Sequence, residues 1–281
     1  MSFNMQENVV FISGAFQGVG RYIAELLKEN NYRVYGTSRK VQNCEESQWH
    51  IPAVKGNGFL QLIAMDLCNE ESIQQAIQYV MQKEQRIDIL INNSGIVTAG
   101  SVEDTTYQEA YKQLETNFFG HHRVLRHVLP IMRKQHHGYI INISSVNGFI
   151  TLPFQSMYCA SKYALEAMTE ALRMEVSPWN IKVTLIEPGD MKTNNTANRI
   201  FATASNNSDY HNTFMHSMEI VGHNEQSGPV PIKVATTVLS ILKKQCPSLR
   251  VVVGWQYKII YYLKRLLPTA FIEFVVKKLY M

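Results

Sequence analysis

The sequence predicts an α/β protein: a single domain, residues 1–281, built on a doubly wound parallel sheet of about seven strands with helices on both faces. Three observations predict it. Seven short runs are apolar on both faces, as in strands buried on either side. The segments between them repeat apolar residues at spacings of three and four, the helical period. The first run passes straight into a glycine-rich turn, SGAFQGVG, and then into a helical pattern.

VVFIS at 9–13 is the first strand, and residues 19–30 form the first helix. YRVYGTS at 32–38 and FLQLIAMD at 59–66 are the second and third strands, followed by a helix over 70–85. IDILIN at 87–92 leads to a long helix over 107–135, GYIINIS at 138–144 to a helix over 155–177, and IKVTLIE at 181–187 and RVVVG at 250–254 complete the sheet. Parallel strands joined by helical crossovers take this order. Residues 190–230, rich in Asn, Ser, His and Met, lack strong periodicity and predict a long loop with short helices, placed as a substrate lid. Residues 255–281 are aromatic and basic.

Composition sets the class. With 46% hydrophobic and 18% charged residues, the chain buries a sizeable core. A net charge of +4 without a Lys/Arg block argues against a nucleic-acid partner. Cys44, Cys68, Cys159 and Cys246 are scattered without a CxxC pair, against a disulfide framework or structural zinc and in favour of a reducing, cytoplasmic location. The apolar run from Val9 to Ile12 is shorter than a signal-peptide core of about 7–15 residues. No stretch approaches the roughly 20 apolar residues that span a bilayer.

Gly14, Gly18 and Gly20, with Ser13, Gln17 and Val19 in the same loop, stand between the first strand and its helix. Glycine there permits a tight turn, close approach of backbone to a pyrophosphate, and helix packing, with phosphates at the helix N-terminus. The second strand ends in GTSRK, where an acidic residue would accept the adenosine 2′-hydroxyl of NAD. A carboxylate repels a 2′-phosphate, whereas Ser38 and the planar fork of Arg39 bind one, so NADP(H) is favoured over NAD(H). Asp66, followed by Leu67, ends the third strand and can cap the adenine amino group; Asn93 and Gly95 follow the fourth.

Tyr158 and Lys162 stand in YCASK at i and i+4 of a helix, on one face about 6 Å apart. An ammonium about 4 Å from a phenol supplies roughly 4 kcal/mol favouring phenolate, enough to lower its pKa by about 3 units. Tyr158 then exchanges a proton with a substrate oxygen, and Ser145, closing the fifth strand in NISSVNG, polarises that oxygen.

Taken together, SGAFQGVG, NNSG at 92–95, Asn117 in TNFFG, Ser145, YCASK and PGDMKT at 188–193 are similar, in order and spacing, to the short-chain dehydrogenase/reductase family over residues 8 to about 193. The resemblance implies a catalytic tetrad of Asn117, Ser145, Tyr158 and Lys162. It also implies that Lys162 holds the nicotinamide ribose, that Asn117 fixes a water beside Lys162, and that Pro188, Gly189 and Thr193 border the nicotinamide. Ser13 and Ser94 replace the family's usual Thr and Ala. The GTSR strand end and the tail resemble most, loosely, the branch of 17-beta-hydroxysteroid and retinol dehydrogenases. That likeness implies a bulky apolar alcohol or carbonyl, such as a steroid, retinoid or lipid, walled by Phe201, Tyr210, Phe214, Met215 and Met218. Reduction of a smaller polar carbonyl, a sugar or 3-oxoacyl group, and NADPH sensing without turnover are the competing functions.

The tail from Trp255 to Met281 is broken by Pro268 into two amphipathic pieces carrying Lys258, Lys264, Arg265, Lys277 and Lys278. It suits peripheral contact with a membrane, a cover over the substrate mouth, or a subunit interface. His121, His122, His127, His136 and His137 lack an acidic ligand pattern, so no metal is expected, and the last two suit a helix C-terminus. The helices at 107–135 and 155–177 are where family members usually pair, which implies a homodimer or homotetramer.

Overall fold

The computed structural model describes residues 8–41, 49–193 and 197–281; Cys44 and residues 194–196 of the lid lie outside them. Every apolar run becomes a strand. The chain runs β1 (Val9–Ile12), α1 (Gly18–Glu29), β2 (Arg33–Ser38), β3 (His50–Pro52), β4 (Phe59–Ala64), α2 (Glu70–Glu84), β5 (Ile89–Asn92) and β6 (Thr98–Ala99). It continues through α3 (Tyr107–Leu114), α4 (Gly120–Gln135), β7 (Gly138–Ile143), α5 (Ser156–Glu175), β8 (Ile181–Pro188) and β9 (Ile200–Phe201). The last elements are α6 (His211–Ser227), α7 (Ile232–Leu242), β10 (Arg250–Val253), α8 (Trp255–Leu266) and α9 (Thr269–Tyr280).

The central sheet has eight strands, one more than the apolar runs predict, in the order β10-β8-β7-β5-β1-β2-β4-β3. Seven pair in parallel, with Phe11 of β1 opposite Tyr35 of β2 and Leu90 of β5. The eighth, β3, is antiparallel at the edge beside β4. Its three residues end in Pro52, which lacks a ladder donor and fits only such an edge.

Both faces are covered. Ile23 and Leu27 of α1 and Val234, Val238 and Ile241 of α7 pack on one face against Val10, Ile12 and Ile141. Ile73 and Ile77 of α2, Val124 and Val128 of α4 and Leu172 of α5 pack on the other, against Phe11, Leu90 and Ile140. The result is a single Rossmann-like domain.

Two predicted elements differ. The long helix at 107–135 is interrupted by a π-helical turn at Glu115–Phe119, a form associated with functional positions. The 190–230 region contains not only loop and short turns but the 17-residue helix α6. Phe214, Met218 and Val221 form a narrow buried stripe on it, packed on Ala99 and Phe154. The His, Asn and Glu residues around the stripe hide its period. β9 latches the lid to β6 by parallel pairing, Thr98 with Ile200 and Ala99 with Phe201.

Candidate active site

The strand order reverses between β1 and β5, and a cleft of about 340 Å³ opens at their carboxyl ends, as doubly wound sheets dictate. At its first edge, Gly14 and Gly18 hold φ of +72° and +61°, the left-handed region open to glycine. A Cβ on Gly14 would sit 2.4 Å from Ser94 Oγ, and one on Gly20 would sit 2.1 Å from the Gly14 carbonyl. Beside Gly18 a Cβ meets nothing within 4 Å, so the turn faces open cleft there. Gln17 and Val19 line the cleft with Gly14 and Gly18, whereas Ser13 and Gly20 stand behind it. Ser13 Oγ accepts from the backbone N–H of Asn93 and Ser94 at 2.9 and 3.1 Å, and Asn93 Nδ2 donates to the Ser13 and Gly14 carbonyls at 3.0 Å. The loops after β1 and β5 are therefore one braced unit.

Ser38, Arg39, Asp66, Leu67, Asn93 and Gly95 also line this end. Arg39 is exposed, next to Lys40, whose ammonium lies 4.9 Å from the Phe16 ring centroid. Asp66 Oδ1 accepts from the Cys68 N–H at 3.0 Å, which fixes the turn after β4.

At the other end, Ser145 caps a 3₁₀ turn over Val146–Gly148, its Oγ accepting from the Asn147 N–H at 3.1 Å. Its hydroxyl also hydrogen-bonds Tyr158, on the first turn of α5. Lys162, one turn on, is buried, and its Nζ donates to the Ile143 carbonyl at 2.9 Å and lies 5.9 Å from the Tyr158 ring centroid. Pro188, Gly189 and Thr193 close the cleft below the lid.

The expected depression of the Tyr158 pKa is not found. Burial of a phenolate dominates and pushes Tyr158 up to about 12, opposed by the Ser145 hydrogen bond. Lys162 turns its charge to a carbonyl instead, and burial lowers its own pKa to about 8, with the Glu166 carboxylate opposing. Tyr158 in this arrangement is a protonated donor.

Asn117 lies in the π turn, behind the cleft lining. Its Oδ1 accepts from the Ile96 N–H at 2.9 Å, and its Nδ2 donates to the Ile96 carbonyl and Ser161 Oγ at 3.0 and 3.2 Å. Ser161 Oγ in turn donates to the Tyr158 carbonyl at 2.7 Å. The π turn thus ties the loop after β5 to the helix bearing Tyr158.

The five expected wall residues do not line the cleft. Phe214 and Met218 are buried in the small cluster beneath the lid, and Phe201 packs edge-on against Phe214 at 5.1 Å. Tyr210 and Met215 are partly exposed on the outside of the lid. The same stripe of α6 reaches the cleft one and two turns beyond Met218, at Val221 and Glu225.

Three groups were outside the sequence prediction. Glu225 pairs with Arg199 at 2.5 Å. Tyr257 of α8 lies against Gly189, where a Cβ would fall 1.9 Å from its ring; its hydroxyl donates to Asp190 Oδ2 at 2.8 Å and accepts from the Asp190 N–H at 3.0 Å. Beneath Ser145, Ser144 Oγ donates to Glu166 Oε1 at 2.7 Å, and Arg250 of β10 binds Glu166, Glu187 and Glu170 together. Each depends on contacts between distant segments; the one local signal is a carboxylate at the next position of the Phe214, Met218, Val221 stripe.

His121, His136 and His137 serve structure. His121 is buried, donates from Nε2 to the Ser94 carbonyl at 2.9 Å, and is held neutral with its pKa near 3, first by burial and then by the Lys162 charge. His136 takes the left-handed conformation that ends α4, and His137 binds Asp88 at 2.8 Å. Among the described residues no group of three or more His, Cys, Asp or Glu could hold a metal.

The short chain dehydrogenase family model matches residues 8–202. The chain belongs to that family. Like other short-chain dehydrogenases it is an oxidoreductase with a nucleotide-binding Rossmann fold. It is 38% identical over 251 residues to a 3-ketodihydrosphingosine reductase of Bacteroides thetaiotaomicron, covering 89% of each chain. It is 33% identical to dehydrogenase/reductase SDR family member 7B of Xenopus tropicalis, covering 96% of this chain and 85% of that one. A short-chain dehydrogenase from Streptomyces avermitilis superposes with a TM-score of 0.79 at 28% identity, covering 93% of both chains. These relatives agree with the loose likeness to the hydroxysteroid and retinol dehydrogenase branch.

Proposed function

We propose that this short-chain dehydrogenase is an NADP(H)-dependent reductase of a bulky, apolar ketone, in particular a long-chain ketone of the sphingoid-base type. The observation that carries the reading is the convergence of Ser145, Tyr158 and Lys162 on the same cleft as the glycine turn. The substrate class rests on the likeness to a 3-ketodihydrosphingosine reductase.

The cleft fits a nicotinamide dinucleotide: Gly18 is left-handed beside open space, α1 begins at that turn, and no carboxylate stands at the end of β2. Gly14, Gln17, Gly18 and Val19 are assigned to the pyrophosphate, Ser38 and Arg39 to the 2′-phosphate, Asp66 and Leu67 to the adenine, and Asn93 and Gly95 to the strand end between them. Lys162 is assigned to the nicotinamide ribose, and Pro188, Gly189 and Thr193 to the nicotinamide. Bound there, NADPH supplies the hydride.

The chain's residues do the rest. Ser145 donates a hydrogen bond that holds the carbonyl oxygen and stabilises its developing charge. Tyr158, protonated because its phenolate is poorly solvated, gives its proton to that oxygen. The charged Lys162 favours replacement of the lost proton, and Asn117, held by Ile96, is assigned the ordering of a water beside it.

The apolar tail supports peripheral docking on an anionic membrane, from which such a substrate would be drawn. Neither α8 nor α9 buries a residue fully, and Trp255 and Leu266 are 74% and 78% exposed. Lys258, Arg265, Lys277 and Lys278 stand exposed among them, with Glu273 the one acid in either helix. No helix among the described residues is long and apolar enough to cross a membrane.

The test is turnover by the purified protein of long-chain, steroid, retinoid, sugar and short-chain carbonyls with NADPH and with NADH. A long-chain ketone should be reduced with NADPH, and Arg39→Ala should raise KM for NADPH by about tenfold or more while leaving that for NADH nearly unchanged. Equal losses for both cofactors would refute the 2′-phosphate assignment.

A further inference from the structure

Two loops carry one end of the cleft, and a single helix of the tail touches both. Ile143 of β7 pairs with Ile186 of β8, so Ser145 and Pro188, each two residues on, leave neighbouring strands at one level. Ser145 opens the 3₁₀ turn that ends at Phe149, and Pro188 leads into Gly189 and Asp190, which line the cleft with Ser145, Tyr158 and Lys162. Val253 of β10 pairs with Pro188, and Gly254, at φ of +105°, turns the chain straight into α8. The helix therefore starts beside the loop that follows β8.

Of the twelve residues of α8, only Tyr257, Tyr261 and Lys264 are partly buried; the other nine are exposed. Their spacings of four and three put them on one face. Each meets a loop of the cleft. The Tyr257 ring covers Gly189, and its hydroxyl binds Asp190 twice, donating to Oδ2 at 2.8 Å and accepting from the backbone N–H at 3.0 Å. The Tyr261 ring meets Phe149 edge-on at 5.2 Å. Lys264 Nζ donates to the Phe149 carbonyl and, at 2.6 Å, to the hydroxyl of Tyr163, the neighbour of Lys162 on α5. A helix packed only for stability turns its apolar stripe inward. α8 does the reverse: Ile259, Leu263 and Leu266 are exposed, and the face toward the body carries two phenols and an ammonium.

We propose that α8 is a positioning element of the reaction, in which Tyr257 sets the backbone of Gly189 and Asp190 for the cofactor and Lys264 sets the turn that presents Ser145 to the substrate oxygen. This rests on the reductase function proposed above. Neither Tyr257 nor Lys264 lines the cleft, so each acts through another group. The two contacts serve different partners and separate by function. Tyr257 holds a segment assigned to the nicotinamide, so its loss weakens cofactor binding without regard to the 2′-phosphate. Lys264 holds the carbonyl at the end of the Ser145 turn against α5, so its loss misplaces the Ser145 hydroxyl relative to Tyr158 and slows the chemical step.

The experiment uses the full chain with Tyr257→Phe, which keeps the ring and removes both hydroxyl bonds, and Lys264→Met, which keeps the stem and removes the ammonium. NADPH and NADH binding are measured without substrate, and kcat and KM with NADPH and a long-chain ketone. Tyr257→Phe raises Kd for both cofactors alike, by about 5- to 20-fold, the scale of one or two hydrogen bonds, and changes kcat by less than about threefold. Lys264→Met leaves both Kd values within about twofold and lowers kcat by about tenfold or more. Parallel changes in Kd and kcat in both variants, following a lower melting temperature, would make α8 a general brace and overturn the proposal, as would two variants indistinguishable from wild type. Absence of turnover in wild type would remove the reductase function on which the proposal rests, a result that the binding data tell apart from failure of the Tyr257 contact.

Discussion

Tyr158 and Lys162 are one turn apart on α5, yet burial, rather than their mutual attraction, sets their protonation. Tyr158 near 12 stays protonated across the neutral range, which suits donation to a ketone. Lys162 is lowered to about 8, so its charge is present below that pH and lost above it. For reduction, kcat/KM should therefore fall as pH rises through about 8. Glu166 raises the Lys162 pKa, so Glu166→Gln moves the falling limb to lower pH. A pH profile of kcat/KM in both proteins checks this, and an unmoved limb would show that another group governs it. At this scale most of the cleft was legible in the sequence. The turn glycines and the Tyr158/Lys162 spacing are local patterns whose geometry follows from the helix and turn they occupy. Glu225 and Arg199 were not legible, because their meeting depends on which side of α6 faces β9.

The parallel strands were legible because, β10 at the edge apart, both of their faces are buried, which leaves unbroken apolar runs. β3 was not, being three residues at an edge, and α6 was not, because its buried stripe is narrow and its other faces are polar. β10 does more than close the sheet. Its Arg250 is the shared cation of Glu166, Glu187 and Glu170, and burial, followed by the Glu166 charge, pushes the Glu187 carboxyl up even with Arg250 beside it. Arg250→Met leaves Glu166 and Glu187 buried without their cation and should lower stability by about 3–5 kcal/mol. Adding Glu187→Gln should recover part of that loss. Denaturant unfolding of the two variants measures both, and a loss below about 1 kcal/mol would show that the carboxylates find other partners.

Across the whole molecule, sequence periodicity gives the body but cannot say what the tail meets. α8 pins Gly189 through Tyr257, and α9 packs Tyr280 near Phe214, so the tail borders both the loop that follows β8 and the lid. Its outer surface remains aromatic and basic. It should bind phosphatidylserine-containing vesicles in a salt-sensitive manner, and Lys258→Glu with Lys277→Glu should weaken binding by about tenfold. Co-sedimentation with anionic and neutral vesicles checks this, and equal binding to both would discard the electrostatic part. Exposed Tyr107, Tyr111 and Met174 on α3 and α5 are the faces through which pairing into a dimer or tetramer is expected, a matter for analytical ultracentrifugation.

On the proposed function, one cleft joins an NADPH site to a proton relay ending in Tyr158. The most direct measurement is NADPH oxidation with a long-chain ketone by wild type and Tyr158→Phe, together with NADPH binding by each. Wild type should turn over, the variant should lose at least about a thousandfold, and NADPH affinity should stay within a few fold in both. Undiminished turnover in Tyr158→Phe would rule out Tyr158 as the proton donor.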